Sequence, residues 1–250
     1  MTTHGEGGSP DGSPGGVVDE LIDVSIVGEP VVYGAGFIAL LLVVFTGSWA
    51  GSIPTLVHEG AHALMNVLTF RGLRGIHLSD GGGGFTESGT GEWGVGLYLT
   101  VPAGYLGPPL VGLGGAAVLA DGNAWGVLVA VIVILALTFL AAANALANLV
   151  SLVAVVGLVL VLWLGSDVLQ VALAAVVVWW LLLGGVRASV IMSRRAPSDA
   201  ARMQSLTLLP ALVWQTFWVT VAVVCLYAGG RLLFVGDAWP DGVWPFDVRA

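Results

Sequence analysis

From Val31 onward the chain is a succession of apolar blocks, most long enough to form a bilayer-crossing helix, separated by short breaks rich in Gly, Asn, Asp or Arg. At 1.5 Å rise per residue, about 20 apolar residues span the hydrocarbon, and blocks of this kind folded in water would be insoluble. The pattern places helices near 31–50, 53–70, 95–119, 124–143, 147–165, 168–190 and 206–229. Only 10% of residues are charged, against roughly 25% in a soluble domain. The expected fold class is an all-α polytopic membrane protein with about 6–7 transmembrane helices, and a soluble fold is excluded.

The flanks differ from this core. Residues 1–30 are rich in Gly, Ser, Pro, Asp and Glu, lack Lys and Arg, and read as a disordered acidic tail. Residues 31–235 form the expected membrane-embedded domain, and 236–250 a short C-terminal tail with Trp239, Trp244 and Phe246 suited to an interface. Arg71 and Arg74 follow the second helix, and Arg187, Arg194, Arg195 and Arg202 lie around the break before the last. Seven crossings put both Arg-bearing breaks on one side, which the positive-inside rule makes cytoplasmic. This arrangement suits a multi-pass protein of the plasma membrane.

Net charge is −8 and Lys is absent, so no basic cluster of the sort that binds nucleic acid exists. A lone Cys225 excludes intramolecular disulfides and zinc-finger thiolate sites. Any metal must therefore be held by His and carboxylates.

The second helix carries His58-Glu59-Gly60-Ala61-His62, an H-E-x-x-H motif. Spacing i, i+4 puts both imidazoles on one face, able to share a zinc ion, with Glu59 beside them as a candidate general base. Ionisable residues inside a bilayer are costly and mark function. A hydrolytic zinc needs a third protein ligand. Glu92 is the last Glu in the chain, and Met65 and Leu68 occupy the Gly and third-His positions of a metzincin extension. An Asp remains, or else His77, Asp80 or Glu87 in the segment after the helix. Among the Asp residues, Asp199 is on the expected inner side, where Ser198-Asp199 could instead simply open the last helix. Apolar-core counting puts His62 deep and Asp199 near the surface, so either the His helix is shallow or 193–205 dips inward.

Residues 71–94 contain Ile76, Leu78, Phe85 and Thr86 around Ser79-Asp80 and four glycines, which predicts a short β-hairpin with a glycine-rich turn. No phosphate-loop motif accompanies those glycines. Gly104, Gly107, Pro108 and Pro109 would kink the third helix. Asn144 and Asn148, at i, i+4, could donate to a substrate carbonyl or join helices.

These residues resemble the site-2 protease class of intramembrane zinc metalloproteases, most closely its M50B-like branch. The resemblance rests on Leu56 to Leu64, the strand-like Gly81 to Thr86, Ala103-Gly104-Tyr105-Leu106-Gly107, and Ser198-Asp199-Ala200 ahead of Thr207 to Pro210 and Trp214. It implies Zn²⁺ held by His58, His62 and Asp199, Glu59 as general base, and cleavage of a peptide bond within or beside a transmembrane segment of a protein partner. It also implies that the hairpin, through Gly84, Phe85 and Thr86, presents an edge to unwound substrate. No Gly follows Asp199 and no Asn-to-Pro spacing precedes it, which departs from the better-studied members. The competing readings are a metal-binding scaffold or carrier without catalysis, and a degenerate protease homologue.

Overall fold

The computed structural model describes residues 30–45, 47–79, 81, 83–90, 94–191 and 198–234. Residues 1–29, Asp80 and residues 235–250 lie outside the described residues, and with them both expected tails. The elements are α1 (Pro30–Phe45), α2 (Gly47–Leu68), β1 (Leu73–Leu78), β2 (Gly84–Ser88), α3 (Leu97–Ala120), α4 (Ala124–Ala141), α5 (Ala145–Leu164), α6 (Asp167–Ile191), α7 (Asp199–Thr207) and α8 (Ala211–Phe234). The fold is all-α with one small hairpin. Five helices, α3, α4, α5, α6 and α8, are long and apolar enough to cross a membrane, and the protein is an integral membrane protein.

Helix α3 is central, packing against α2, α6 and α8, while α1 leans on α6 and α4 pairs with α5. Water does not drive helices together inside lipid, so close backbone approach and dispersion must do so. Gly107 illustrates this, because a Cβ there would come within 2.7 Å of the Ala61 methyl on α2. Pro102, Pro108 and Pro109 lie inside α3 without ending it. The stretch expected to break or kink the third helix lies within one continuous helix and packs closely on its neighbours. Outward faces are apolar: on α5, Leu149, Val153, Trp163 and Leu164 are all exposed.

Two boundaries differ from the sequence expectation. The first helix ends at Phe45 and the second begins at Gly47, against the expected 31–50 and 53–70, so Pro54 sits inside α2 and not in its first turn. The last segment is two helices. Short α7 ends at Leu208, which adopts a left-handed conformation with φ 63°, and α8 begins after Pro210. Ser198 caps α7, its Oγ accepting from the Ala201 N–H at 3.3 Å. The cause is in the composition: residues 199–207 have too little apolar surface to continue a membrane span, but bury Ala200 and Met203 against Leu97, Val101, Tyr105 and Trp218.

The expected hairpin is present. β1 and β2 pair antiparallel, with Ile76 opposite Thr86, His77 opposite Phe85 and Leu78 opposite Gly84. A bulge between Leu73 and Gly75 leaves Arg74 as the extra residue, turned outward to an ion pair with Glu87 at 3.1 Å. The far edge of β1 is already occupied. The Ile76 carbonyl accepts from the Ala143 N–H at 2.8 Å. Asn144 accepts from the Leu78 N–H at 3.2 Å through Oδ1 and donates to the Leu78 carbonyl at 2.6 Å through Nδ2. The same Oδ1 caps α5 by accepting from the Ala147 N–H at 3.1 Å. Asn148 donates to the Asn144 carbonyl at 3.2 Å. Both asparagines therefore serve as structural joints.

In an antiparallel ladder the N–H and C=O groups of successive residues alternate between the two edges. Ile76 and Leu78 point theirs at residues 143 and 144, so their partners Thr86 and Gly84 point theirs off the opposite, β2 edge. Among the described residues nothing pairs with that edge. Asn144→Ala removes two hydrogen bonds and a helix cap, and should destabilise the hairpin anchorage by about 1–2 kcal/mol. Hydrogen–deuterium exchange in detergent micelles should report faster exchange at Leu78, with α3 and α6 unchanged.

Candidate metal centre

His58, Glu59 and His62 lie in the second half of α2 and are 8%, 4% and 8% exposed. A neutral imidazole holds one proton, and its location decides which nitrogen can bind a metal. His62 Nδ1 lies 2.7 Å from the Thr100 carbonyl of α3, an oxygen that can only accept. Nδ1 therefore carries the proton, and Nε2 is left with its lone pair facing His58 Nε2 at 3.1 Å. His58 is held by aromatic packing: its ring meets Tyr105 edge-on at 4.7 Å, and Tyr105 stacks on Trp218 of α8 at 4.5 Å.

Asp199 completes the group. As the first residue of α7 it benefits from the positive end of that helix, and its Oδ2 lies 3.4 Å from His58 Nε2 and 3.3 Å from His62 Nε2. Burial by itself would raise the Asp199 carboxyl, but the charge and hydrogen bonds of the two imidazoles, when these are protonated, outweigh that and hold it well below the usual carboxylate range. Asp199 reaches the imidazoles from α7, a separate helix lying against α3, so it is not tied to the end of α8.

A tetrahedral site with metal–ligand bonds of about 2.0–2.1 Å has ligand–ligand edges of roughly 3.3–3.4 Å. The three donor separations, 3.1, 3.3 and 3.4 Å, are close to that geometry. Two imidazole nitrogens and one carboxylate oxygen form a donor set that suits a divalent ion of borderline softness such as zinc. Gly104 of α3 faces them directly. A Cβ there would lie 2.6 Å from His58 Nε2 and closer still to His62 Nε2, so only glycine leaves the space between the donors open.

Glu59 is held by β2. The Thr86 hydroxyl is 2.7 Å from Glu59 Oε2 and 2.9 Å from the Glu59 carbonyl, one proton serving both acceptors. Gly84 lies so close that a Cβ would be 3.0 Å from Glu59 Cγ. These groups open onto a cavity of about 650 Å³ whose walls include Gly84, Phe85 and Thr86. Asn144 and Asn148, considered as substrate donors from sequence, do not line it. Neither do the other third-ligand candidates that can be placed approach the imidazoles: His77 stacks on Phe85 at 4.5 Å, and Glu87 pairs with Arg74. Thr100, Tyr105 and Asn66 also line the cavity, and sequence reasoning did not single out their contributions. Asn66 alone had a legible signal, since it repeats the His58, His62 spacing once more.

The sequence profile of the Peptidase M50B-like family matches residues 31–229, a range that includes every residue of this centre. No curated protein and no solved structure matches the chain.

Gly104→Ala should push the imidazoles apart while preserving the helical bundle. Divalent-metal affinity should fall by at least the roughly 10–100-fold that changes outside the ligand shell already cause. Zinc titration of the purified, chelator-stripped protein against a competing dye measures this.

Proposed function

The chain belongs to the Peptidase M50B-like family, and from that membership together with the donor geometry we propose that it is an intramembrane zinc metalloprotease. In this reading His58, His62 and Asp199 hold Zn²⁺, Glu59 is the general base, and the substrate is a transmembrane protein cut within or beside its membrane segment. The observation that carries the proposal is the convergence of Asp199, from a helix far along the chain, on the two Nε2 atoms of the H-E-x-x-H motif. A helix-joining polar patch would need no such convergence and no bare glycine opposite it.

Bound at these donors, zinc would supply Lewis-acid polarisation and make water a competent nucleophile near neutral pH. Glu59 takes the proton from the attacking water and delivers it to the leaving amine. Its position beside His58 gives it access to the same water, and the Thr86 hydroxyl keeps its carboxylate from rotating away. Thr86 donates to Oε2, so the other carboxylate oxygen is the one available for proton transfer. The polar cavity around these groups lets water reach a site enclosed by apolar helices.

A helical substrate hides its carbonyls in its own hydrogen bonds, so cleavage requires an unwound segment. The outward N–H and C=O groups of Gly84 and Thr86 supply replacements by strand addition. This ties the hairpin to catalysis: it holds Glu59 with one residue, Thr86, and offers the substrate a backbone edge with the same residue. The active site is taken to open toward the cytoplasmic side of the plasma membrane.

Glu59→Gln should leave zinc stoichiometry near wild type and lower cleavage of a single-span reporter protein by about 1,000-fold or more, the order of losing a general base with its neighbouring charge. Retained cleavage by purified Glu59→Gln protein would overturn the assignment. Asp199→Ala should lose zinc, and unchanged zinc content would remove Asp199 from the ligand set. A wild-type protein that binds zinc yet cleaves no reporter would indicate a degenerate homologue.

A further inference from the structure

We propose that Asn66 is a substrate-binding residue, whose side-chain amide donates to the backbone carbonyl two residues N-terminal to the scissile bond. The proposal rests on the protease reading and adds to it a grip on the peptide chain independent of side-chain identity.

His58, His62 and Asn66 form an i, i+4, i+8 stripe along one face of α2. All three line the same cavity, and Asn66 is the most buried, at 2% exposed. Helix α2 ends in a Schellman motif. Phe70 takes the left-handed conformation, φ 56°, its N–H bonds to the Val67 carbonyl at 3.1 Å, and the Arg71 N–H bonds to the Asn66 carbonyl at 2.8 Å. This turn folds Arg71 back over Asn66, and Arg71 Nε donates to Asn66 Oδ1 at 3.3 Å. A guanidinium can only donate, which fixes the amide orientation. Oδ1 faces Arg71, so Nδ2 and its two protons face elsewhere. Among the described residues no acceptor is within hydrogen-bond distance of Nδ2. Nδ2 is not sealed from solvent, so a ligand carbonyl in the cavity that Asn66 lines can reach it.

Spacing identifies which carbonyl. Carbonyls two residues apart in an extended chain point the same way and are about 6.6–6.8 Å apart. One helical turn from His62 to Asn66 advances about 6 Å along α2. A chain whose scissile carbonyl faces His58 and His62 thus brings the next like-facing carbonyl level with Asn66. Direction follows from β2, which starts at Gly84, beside Glu59 and Thr55, and ends one residue before Gly89, beside the Arg71 carbonyl. A strand adding antiparallel to β2, the more stable pairing, runs from the Arg71 end toward Glu59. Its N-terminal part therefore lies at Asn66.

Asn66→Asp tests this, because it retains and strengthens the acceptor for Arg71 while removing the donor. The probes are acetohydroxamate, which reaches only the metal, and N-acetyl-Leu-Leu-hydroxamate, whose acetyl carbonyl is two residues from the hydroxamate. Binding to zinc-loaded full-length protein in detergent is measured by calorimetry. Expected is a loss of about tenfold in affinity for the leucyl probe in Asn66→Asp, with acetohydroxamate unchanged. In wild type, replacing the acetyl carbonyl by a thiocarbonyl, a weaker acceptor, should weaken binding several-fold, and this comparison stands even if the variant fails to fold.

Equal affinity of the leucyl probe for wild type and Asn66→Asp would overturn the proposal, leaving Asn66 as a clasp for Arg71. So would loss of acetohydroxamate binding in the variant, which would mean that Asn66 acts on the metal centre. Failure of acetohydroxamate to bind wild type would instead overturn the zinc-protease reading, and the Asn66 proposal with it.

Discussion

The hydrogen bond from His62 Nδ1 to the Thr100 carbonyl links two helices at the point where their chemistry meets. It fixes the imidazole tautomer, and so decides that the lone pair of Nε2 faces His58 and Asp199. It also fixes the separation of α2 and α3, since a bond of 2.7 Å between side chain and backbone requires the helices to be nearly in contact. Gly104 and Gly107 are consequences of that approach, one opposite the imidazoles and the other opposite Ala61. Placing α3 in turn positions Tyr105 against His58 and provides the surface on which α7 docks. The imidazole pair, its aromatic support and the helix bearing Asp199 are thus organised around one backbone carbonyl.

Burying two imidazoles and two carboxylates among apolar helices is unfavourable unless each is satisfied. The structure satisfies them by different means. Backbone supplies the partner for His62, aromatic rings hold His58, a hydroxyl from the hairpin meets Glu59, and a helix N-terminus supports Asp199. No two partners come from the same helix turn, so the centre draws together α2, β2, α3 and α7. The remaining elements act as scaffold, with α5 the most exposed to lipid among the spans.

What was legible in the sequence follows from what side-chain patterns encode. The apolar blocks, the H-E-x-x-H spacing and the glycine-rich hairpin each depend on residue type, and each is present where expected. The helix-to-helix break at residues 208–210 was hidden because Thr207 to Pro210 continue an apolar run, and only the left-handed Leu208 ends the helix. Asn144, a polar side chain in an apolar span, was open between donating to a substrate and joining structural elements. It joins elements, and its partner is the backbone of Leu78, in a strand far away in sequence that no periodicity could indicate. The Thr100 carbonyl is illegible for a simpler reason: every residue has one, and only the packing of α3 singles it out. Asp199 was among several open choices because its approach depends on α7 being a separate helix.

The hairpin has one edge closed and one edge open. An isolated two-stranded sheet with both edges free would be a template for pairing with copies of itself, a hazard that proteins avoid by covering or blunting edges. Here Ala143 and Asn144 cover one side with the chain's own backbone and side chain. The other side borders the cavity lined by His58, Glu59, His62 and Asp199. A strand joining the sheet can therefore do so only on this side. Growth of the sheet and access to the cavity are thus confined to one and the same edge.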